Sequence, residues 1–212
     1  LMTPHDLVNL SEKVVWHLDQ PIADQAALPT YMVSELASRH VKMVLTGEGG
    51  DELFAGYARY AGERFSPVFR LMPHHARRWI VWLSQLAPRA RRMKLALYAL
   101  SHADETTRLA NWFPLFNADM KHDLLTDDVR MTLGDITADA VFATHLARTD
   151  AEHGLNRMLY VDTKLWLVDD LLARGDKMTM AASIEGRVPL LDHRIVEFAA
   201  SLPPSLKLKG LM

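Results

Sequence analysis

Residues 41–46, VKMVLT, leave this chain few ways to fold, because GEGGDELFAG follows at once. Six residues are short for a buried helix but suit a strand. Only Lys42 and Thr46 are polar, so the run is apolar on both faces, as in a strand inside a parallel sheet covered by helices. We expect a buried strand over 41–46, with Gly47 to Asp51 at its C-terminal end facing a cleft. Four glycines and three acids stand between Gly47 and Gly56. Glycines let backbone amides approach an anion and adopt left-handed conformations. A helix beginning near Asp51 points its positive end at the same spot. Both features suit phosphate. Glu48, Asp51 and Glu52 repel phosphate unless a divalent cation lies between, and Mg2+ takes a few carboxylates together with phosphate oxygens. The loop therefore reads as a nucleotide–magnesium site. The plainer alternative is a surface turn whose acids cap a helix.

Elsewhere the pattern is helical. Leu7, Val8, Leu10, Val14, Val15 and Leu18 recur at helical spacing over residues 5–18. LDQPIADQAALPTY reads as a loop, with a helix expected after Pro29 and Thr30 as its cap. Residues 52–150 are helical and punctuated by Pro67, Pro73, Pro88 and Pro114, and residues 155–182 read as one long helical stretch. VPLLDH breaks that stretch. Asp192 is expected to cap a last helix, which Pro203 and Pro204 end.

The absence of cysteine excludes disulfides, thiolate metal sites and a cysteine nucleophile on this chain. Ten histidines are scattered without a pair four apart on a helix, so no zinc site is expected. A net charge of −2 points to neither nucleic acid nor an acidic membrane as a partner. No run is long and apolar enough to span a bilayer and no signal peptide opens the sequence, so a cytoplasmic protein is expected. Residues 65–103 carry seven Arg and Lys and no acid, with Trp79 and Trp82 among them. Such a basic amphipathic segment can contact lipid or nucleic acid. The ordinary reading is a cationic helix packed on the rest of the protein.

A second constellation is DDLLARGDKMTMAASIEGRVPLLDH, residues 169–193. Arg174 and Lys177 share a helix face, as do Asp170 and Arg174. Two cations on one face can bind a pyrophosphate; a salt-bridged, solvated face would look the same. Glu185 and Arg187 serve as well for a buried structural ion pair as for a site.

Taken together, VKMVLTGEGGDELFAGYARY, DDLLARGDKMTMAASIEGRVPLLDHRIVEFAASLPPSLKLKG and the segment LDQPIADQAALPTY resemble the synthetase domain of glutamine-dependent asparagine synthetases. The matching segments cover roughly residues 15–60 and 165–210; the helical middle carries no recognisable motif. The resemblance implies an α/β fold, here a predominantly helical fragment of an adenine-nucleotide α-hydrolase-like domain with a parallel sheet. It implies that ATP adenylates the side-chain carboxylate of aspartate and that ammonia from glutamine then displaces AMP. By position, Thr46, Gly47 and Gly49 are nucleotide-binding, and Glu48 is catalytic, near the acyl-adenylate, able to take a proton from ammonia. Asp51, Arg174 and Lys177 hold pyrophosphate, and Asp51 and Glu52 hold Mg2+. ATP and Mg2+ are the implied cofactors, a glutaminase domain in the parent protein is the implied partner, and a homodimer is one possible assembly.

Residues 1–212 are thus expected to be a partial synthetase domain: strand and acidic loop over 41–57, helical middle over 58–150, and a further helical segment over 155–210. A Ser-Gly-Gly-x-Asp-Ser phosphate loop, a later lysine-bearing segment and the glutaminase half with its cysteine are absent from the sequence. Taken alone, the chain is expected to bind ATP poorly and not to turn over. Without the sheet's first strands it should be mainly helical, with an apolar flank exposed on Val41–Leu45 unless another chain covers it. A related carboxylate-adenylating amidotransferase, a β-lactam-type synthetase, or an inactive helical scaffold are the rival readings.

Overall fold

The computed structural model describes residues 3–112, 114, 116–134 and 136–210. Positions 113, 115 and 135 of the expected helical middle, and residues 1–2 and 211–212, lie outside the described residues. The chain divides into two compact units. One runs up to Gly56 and resumes over Asp162–Pro203; the other comprises Tyr57–Val161 and the residues from Pro204 on.

The first unit opens with α1 (Pro4–Leu18), entered through a capping box in which Thr3 and Asp6 satisfy each other's backbone amides. It is followed by α2 (Ala27–Ser38). Thr30 is not the cap expected of it. Its hydroxyl and its amide both bond the carbonyl of Ala26, inside the helix, at 2.7 and 2.9 Å. Asp24 starts the turn instead, its Oδ1 accepting from the Ala26 amide at 2.8 Å. Pro29 is tolerated because a first-turn residue has no intrahelical acceptor for the N–H it lacks.

Strand β1 is Met43–Leu45, shorter than the 41–46 expected. The amide of Val41 is still bonded to Ala37 at the end of α2, so the strand cannot begin there. Nor is β1 buried. Val41, Met43 and Leu45 are all exposed, Leu45 at 68%. The chain is mainly helical, and the apolar flank expected along Val41–Leu45 is present.

The acidic loop leads into α3 (Gly50–Phe54). The second unit then builds α4 (Ala58–Glu63), α5 (Ser66–Leu71), α6 (His74–Gln85), α7 (Arg91–Ser101), α8 (Glu105–Ala110), α9 (Ala118–Leu124), α10 (Asp127–Leu133) and α11 (Ala138–Leu146). Its interior holds a polar knot. Glu63 accepts from Arg108 Nε at 2.8 Å and from Trp112 Nε1 at 2.7 Å, all three being buried. Trp112 packs so closely that a methyl group on Gly62 would meet its ring at 2.5 Å. The cationic segment 65–103, expected as one packed helix, is three helices, α5, α6 and α7, and its two tryptophans are on α6. Helix α6 does pack on α7, yet Trp79 and Trp82 are exposed.

The long helical stretch expected over 155–182 is three pieces: α12 (Gly154–Lys164), a π-helical turn over Trp166–Leu172, and α13 (Ala173–Ala181). Back in the first unit, α13 packs on α1 and α2. Val14, Leu18, Ala27, Tyr31 and Met178 form the core between them, with Leu10, Ile22 and Leu28 against it. Burying side chains of this size contributes about 1.5–3 kcal/mol each. Ser183 turns left-handed at the end of α13, and the amide of Ile184 bonds back to Thr179 at 3.1 Å.

This turn aims the chain into β2 (Glu185–Arg187), which pairs parallel with β1 in the register Met43–Glu185, Val44–Gly186, Leu45–Arg187. The Glu185–Arg187 ion pair, expected to be buried if structural, is exposed on this strand. A 3-10 turn (Pro189–Leu191) and α14 (His193–Ser201) complete the unit, and Asp192 caps α14 through the Arg194 amide. A last helix, α15 (Pro204–Lys207), returns to the second unit.

Candidate active site

Both strands of the small sheet end in loops, and the two loops meet. The Thr46 amide donates to the Arg187 carbonyl at 2.8 Å, closing the ladder where the chains leave it. Beyond that point Gly49 takes φ 91°, a conformation in the left-handed region, which glycine adopts at low cost. A Cβ there would also stand 2.2 Å from Leu191 Cδ2 and 2.8 Å from its Cγ. At Gly50 a Cβ would stand 3.1 Å from Leu190 Cδ1. The glycines read as room for an anion are thus partly room for the VPLL turn. Gly47 differs: a Cβ built on it meets nothing within 4 Å, so its backbone borders open space.

Glu48 projects from this loop toward the start of α13. Its Oε1 lies 3.6 Å from Arg174 Nη2, and a Cβ on Gly175 would sit 3.6 Å from the same oxygen. Arg174 is 9% exposed, and its Nη1 is bonded to Asp24. One guanidinium therefore holds Glu48 after β1 and Asp24 before α2 in a single arrangement. Its Nε is buried without a hydrogen-bond partner. Asp170, on the π-helical turn one helical step before Arg174, has its carboxyl pushed up from the usual range. Burial is the main cause and Asp24 adds to it, against the pull of Arg174. Its Oδ2 is likewise buried and unpaired. Polar groups buried without partners are costly, so a water, an ion or a ligand is the expected partner for these two.

The remaining expected residues spread around this centre. Asp51 is exposed in the first turn of α3 and lies against Gly56, where a Cβ would come within 1.8 Å of its Oδ1. Glu52, the next residue, is 1% exposed, so of the adjacent acids only Asp51 meets solvent. Lys177 sits 3.9 Å from Asp19 Oδ2, a surface pair one turn along α13 from Arg174. Among the described residues no group of three or more His, Asp or Glu side chains is arranged to hold a metal ion. Sequence reasoning missed Asp24. Its only signal was its place in the loop LDQPIADQAALPTY, and nothing local shows that it meets an arginine so far along the chain.

The fold and these contacts define an α/β domain with a carboxylate–arginine centre at the C-terminal ends of its parallel strands, where open α/β sheets place ligands. The chain belongs to the asparagine synthase family, whose profile matches residues 1–212. It is 33% identical over 211 residues to glutamine-hydrolyzing asparagine synthetase 1 of Bacillus subtilis, covering 99% of this chain and 32% of that protein. Over a shorter span of 76 residues it is 40% identical to glutamine-hydrolyzing asparagine synthetase 3 of the same organism, covering 33% of this chain and 12% of that protein. It is also 27% identical over 239 residues to the amidase chyE of Penicillium rubens, covering 99% of this chain and 33% of that protein. The chain thus spans about a third of the length of the curated relatives that it matches throughout. No solved structure matches it significantly.

Proposed function

We propose that this chain carries part of the site at which ATP adenylates the side-chain carboxylate of aspartate and ammonia from glutamine then forms asparagine, AMP and pyrophosphate. The observation that carries the reading is the Glu48–Arg174 contact beside the open backbone of Gly47, at the end of a parallel strand. In this reading the sheet is the surviving edge of an adenine-nucleotide α-hydrolase-like sheet. Thr46, Gly47 and Gly49 line the nucleotide side of the loop. Asp51, exposed beside the helix start, fits a Mg2+ that takes few protein ligands and several phosphate oxygens. Glu52, expected beside it as a second metal ligand, is buried at 1% exposure, so Asp51 is the acid that faces the ion. Arg174 and Lys177 offer positive charge to the departing pyrophosphate, the step in which separating negative charges most need it.

Glu48 accepts the proton of the attacking amine. Arg174 keeps its carboxylate aimed, and Asp24 holds Arg174. The remaining two thirds of a parent protein would supply the first phosphate loop, the later lysine and the glutaminase half, so the chain by itself is inactive. A cytoplasmic location goes with this reading. A second reading, a related carboxylate-adenylating ligase with another acceptor, is favoured by the similarity to a protein named an amidase.

The test is product analysis with the full-length protein, ATP, Mg2+, ammonium and aspartate. Asparagine with equal AMP and pyrophosphate supports the first reading. Formation of ADP overturns adenylation, and amide on other carboxylates alone moves the assignment to the second.

A further inference from the structure

Helix α6 leaves its largest apolar side chains in solvent. It buries Arg77 and Ser84 and half-buries Ile80 and Val81, yet it exposes Trp79, Trp82 and Leu83, and Leu86 just past its end is exposed too, with Trp79 at 63% and Leu86 at 64%. His75, Trp79, Trp82 and Leu86 follow one another at steps of four, three and four, so the exposed apolar groups form one stripe. Arg77 reaches inward to donate to the Ser101 carbonyl at 2.9 Å, which fixes the rotation of the helix. The two indoles stand edge to face with centroids 5.5 Å apart. His74, His75 and Arg78 join them around an open pocket of about 510 Å3. Leu71, at the end of α5, extends the exposed apolar surface. Exposed Arg89, Arg91 and Arg92 lie just past the other end of α6, and no acid occurs from Arg64 to Ala103.

We propose that this face docks on an anionic lipid surface. Tryptophan and leucine in one stripe, with arginine and histidine beside them and no carboxylate, are what an interfacial helix requires: apolar groups enter the acyl boundary while cations meet phosphate headgroups. A protein partner would have to be acidic throughout to match seven cations and no carboxylate between residues 65 and 103. A nucleic acid backbone offers nothing to Leu71, Leu83 and Leu86. The pocket beside Arg78 and the two histidines is placed to take a headgroup phosphate while the indoles lie at headgroup depth. The surface lies wholly in the second unit, and it does not depend on the function proposed above.

The test is flotation of the full-length protein with vesicles of mixed phosphatidylglycerol and phosphatidylcholine, against pure phosphatidylcholine, at low and high salt. Binding should require the anionic lipid and weaken with salt. Each basic group near such a surface adds about fivefold to partitioning, so R78Q/R91Q/R92Q should bind roughly a hundredfold more weakly. W79S/W82S should lose at least about tenfold through lost apolar area. Its melting temperature serves as the control for folding, and brominated lipid should quench wild-type emission more than that of W79F/W82F. The proposal is overturned by no preference for anionic vesicles or by variants that bind as wild type. It is also overturned by tighter binding to duplex DNA, or by Trp79 and Trp82 emission already blue-shifted without lipid, which would show that protein covers the face.

Discussion

Gly49→Ala should destabilise this protein through two separable causes. The residue sits at φ 91°, where a Cβ costs about 1–2 kcal/mol against the following carbonyl. The new methyl would also lie 2.2 Å from Leu191 Cδ2 and 2.8 Å from Cγ, so the leucine must change rotamer or the VPLL turn must retreat. Overpacking of this kind costs about 1–3 kcal/mol. The sum is about 2–5 kcal/mol, a large part of a typical stability of about 5–15 kcal/mol. At about 2–4 °C per kcal/mol for a chain of this length, the midpoint of thermal unfolding should fall by roughly 10 °C. The assay is circular dichroism melting of wild type, G49A, L191A and G49A/L191A. If the leucine is the obstacle, G49A made in the L191A background recovers the packing part, a coupling of about 1–3 kcal/mol, and costs only the backbone part. A melting point for G49A equal to wild type would refute the packing of the two loops. So would strict additivity with L191A, since the three atoms nearest the added methyl group all belong to Leu191.

Other consequences can be measured alongside. Asp170→Asn should stabilise the protein at neutral pH and leave it unchanged in strong acid. The raised folded-state pKa means that the native carboxyl binds its proton more tightly than the unfolded one, so stability falls as pH rises from the ordinary value of 3.8 through the raised one. Melting curves across that range should diverge upward for the variant, and parallel curves would exclude the burial effect. Glu63→Ala should cost about 3–5 kcal/mol, because it leaves Arg108 buried without its partner; denaturant titration reads this. Leu45→Lys should change the stability of the 212-residue chain by less than about 0.5 kcal/mol, as the side chain is exposed, but should cost several-fold more in the full-length protein if further strands cover β1.

The sequence revealed those features whose causes are local. The apolar run at 43–45, the left-handed glycine after it, the Asp192 cap and the 5–18 periodicity all follow from neighbours a few residues apart. Strand β2 did not show, because Glu185–Arg187 is short and exposed on every residue, and backbone pairing to β1 alone makes it a strand. The π-helical turn at Trp166–Leu172 was equally silent, since apolar residues spaced for an α-helix tolerate one widened turn. In the candidate site, Glu48 and Arg174 stood out as charged residues in dense motifs. That one arginine holds both Glu48 and Asp24 is a fact of three-dimensional closure. Likewise, positive φ at Gly49 is a local matter, whereas its shortage of space is set by Leu191 from the far end of the chain.

In the function proposed above, the loop from Thr46 to Glu52 would serve carboxylate adenylation and amide transfer with divided labour. Aspartate-dependent exchange of labelled pyrophosphate into ATP, followed in the full-length protein beside asparagine formation, separates the two steps. Asp51→Asn should need far more Mg2+ for exchange, because one of few protein ligands is lost. Glu48→Gln should keep exchange near wild type while asparagine formation falls by about 10²–10⁴, the usual worth of a general base. Wild-type magnesium dependence in Asp51→Asn, together with unimpaired synthesis in Glu48→Gln, would contradict the account and leave the loop a capping turn packed against Leu191.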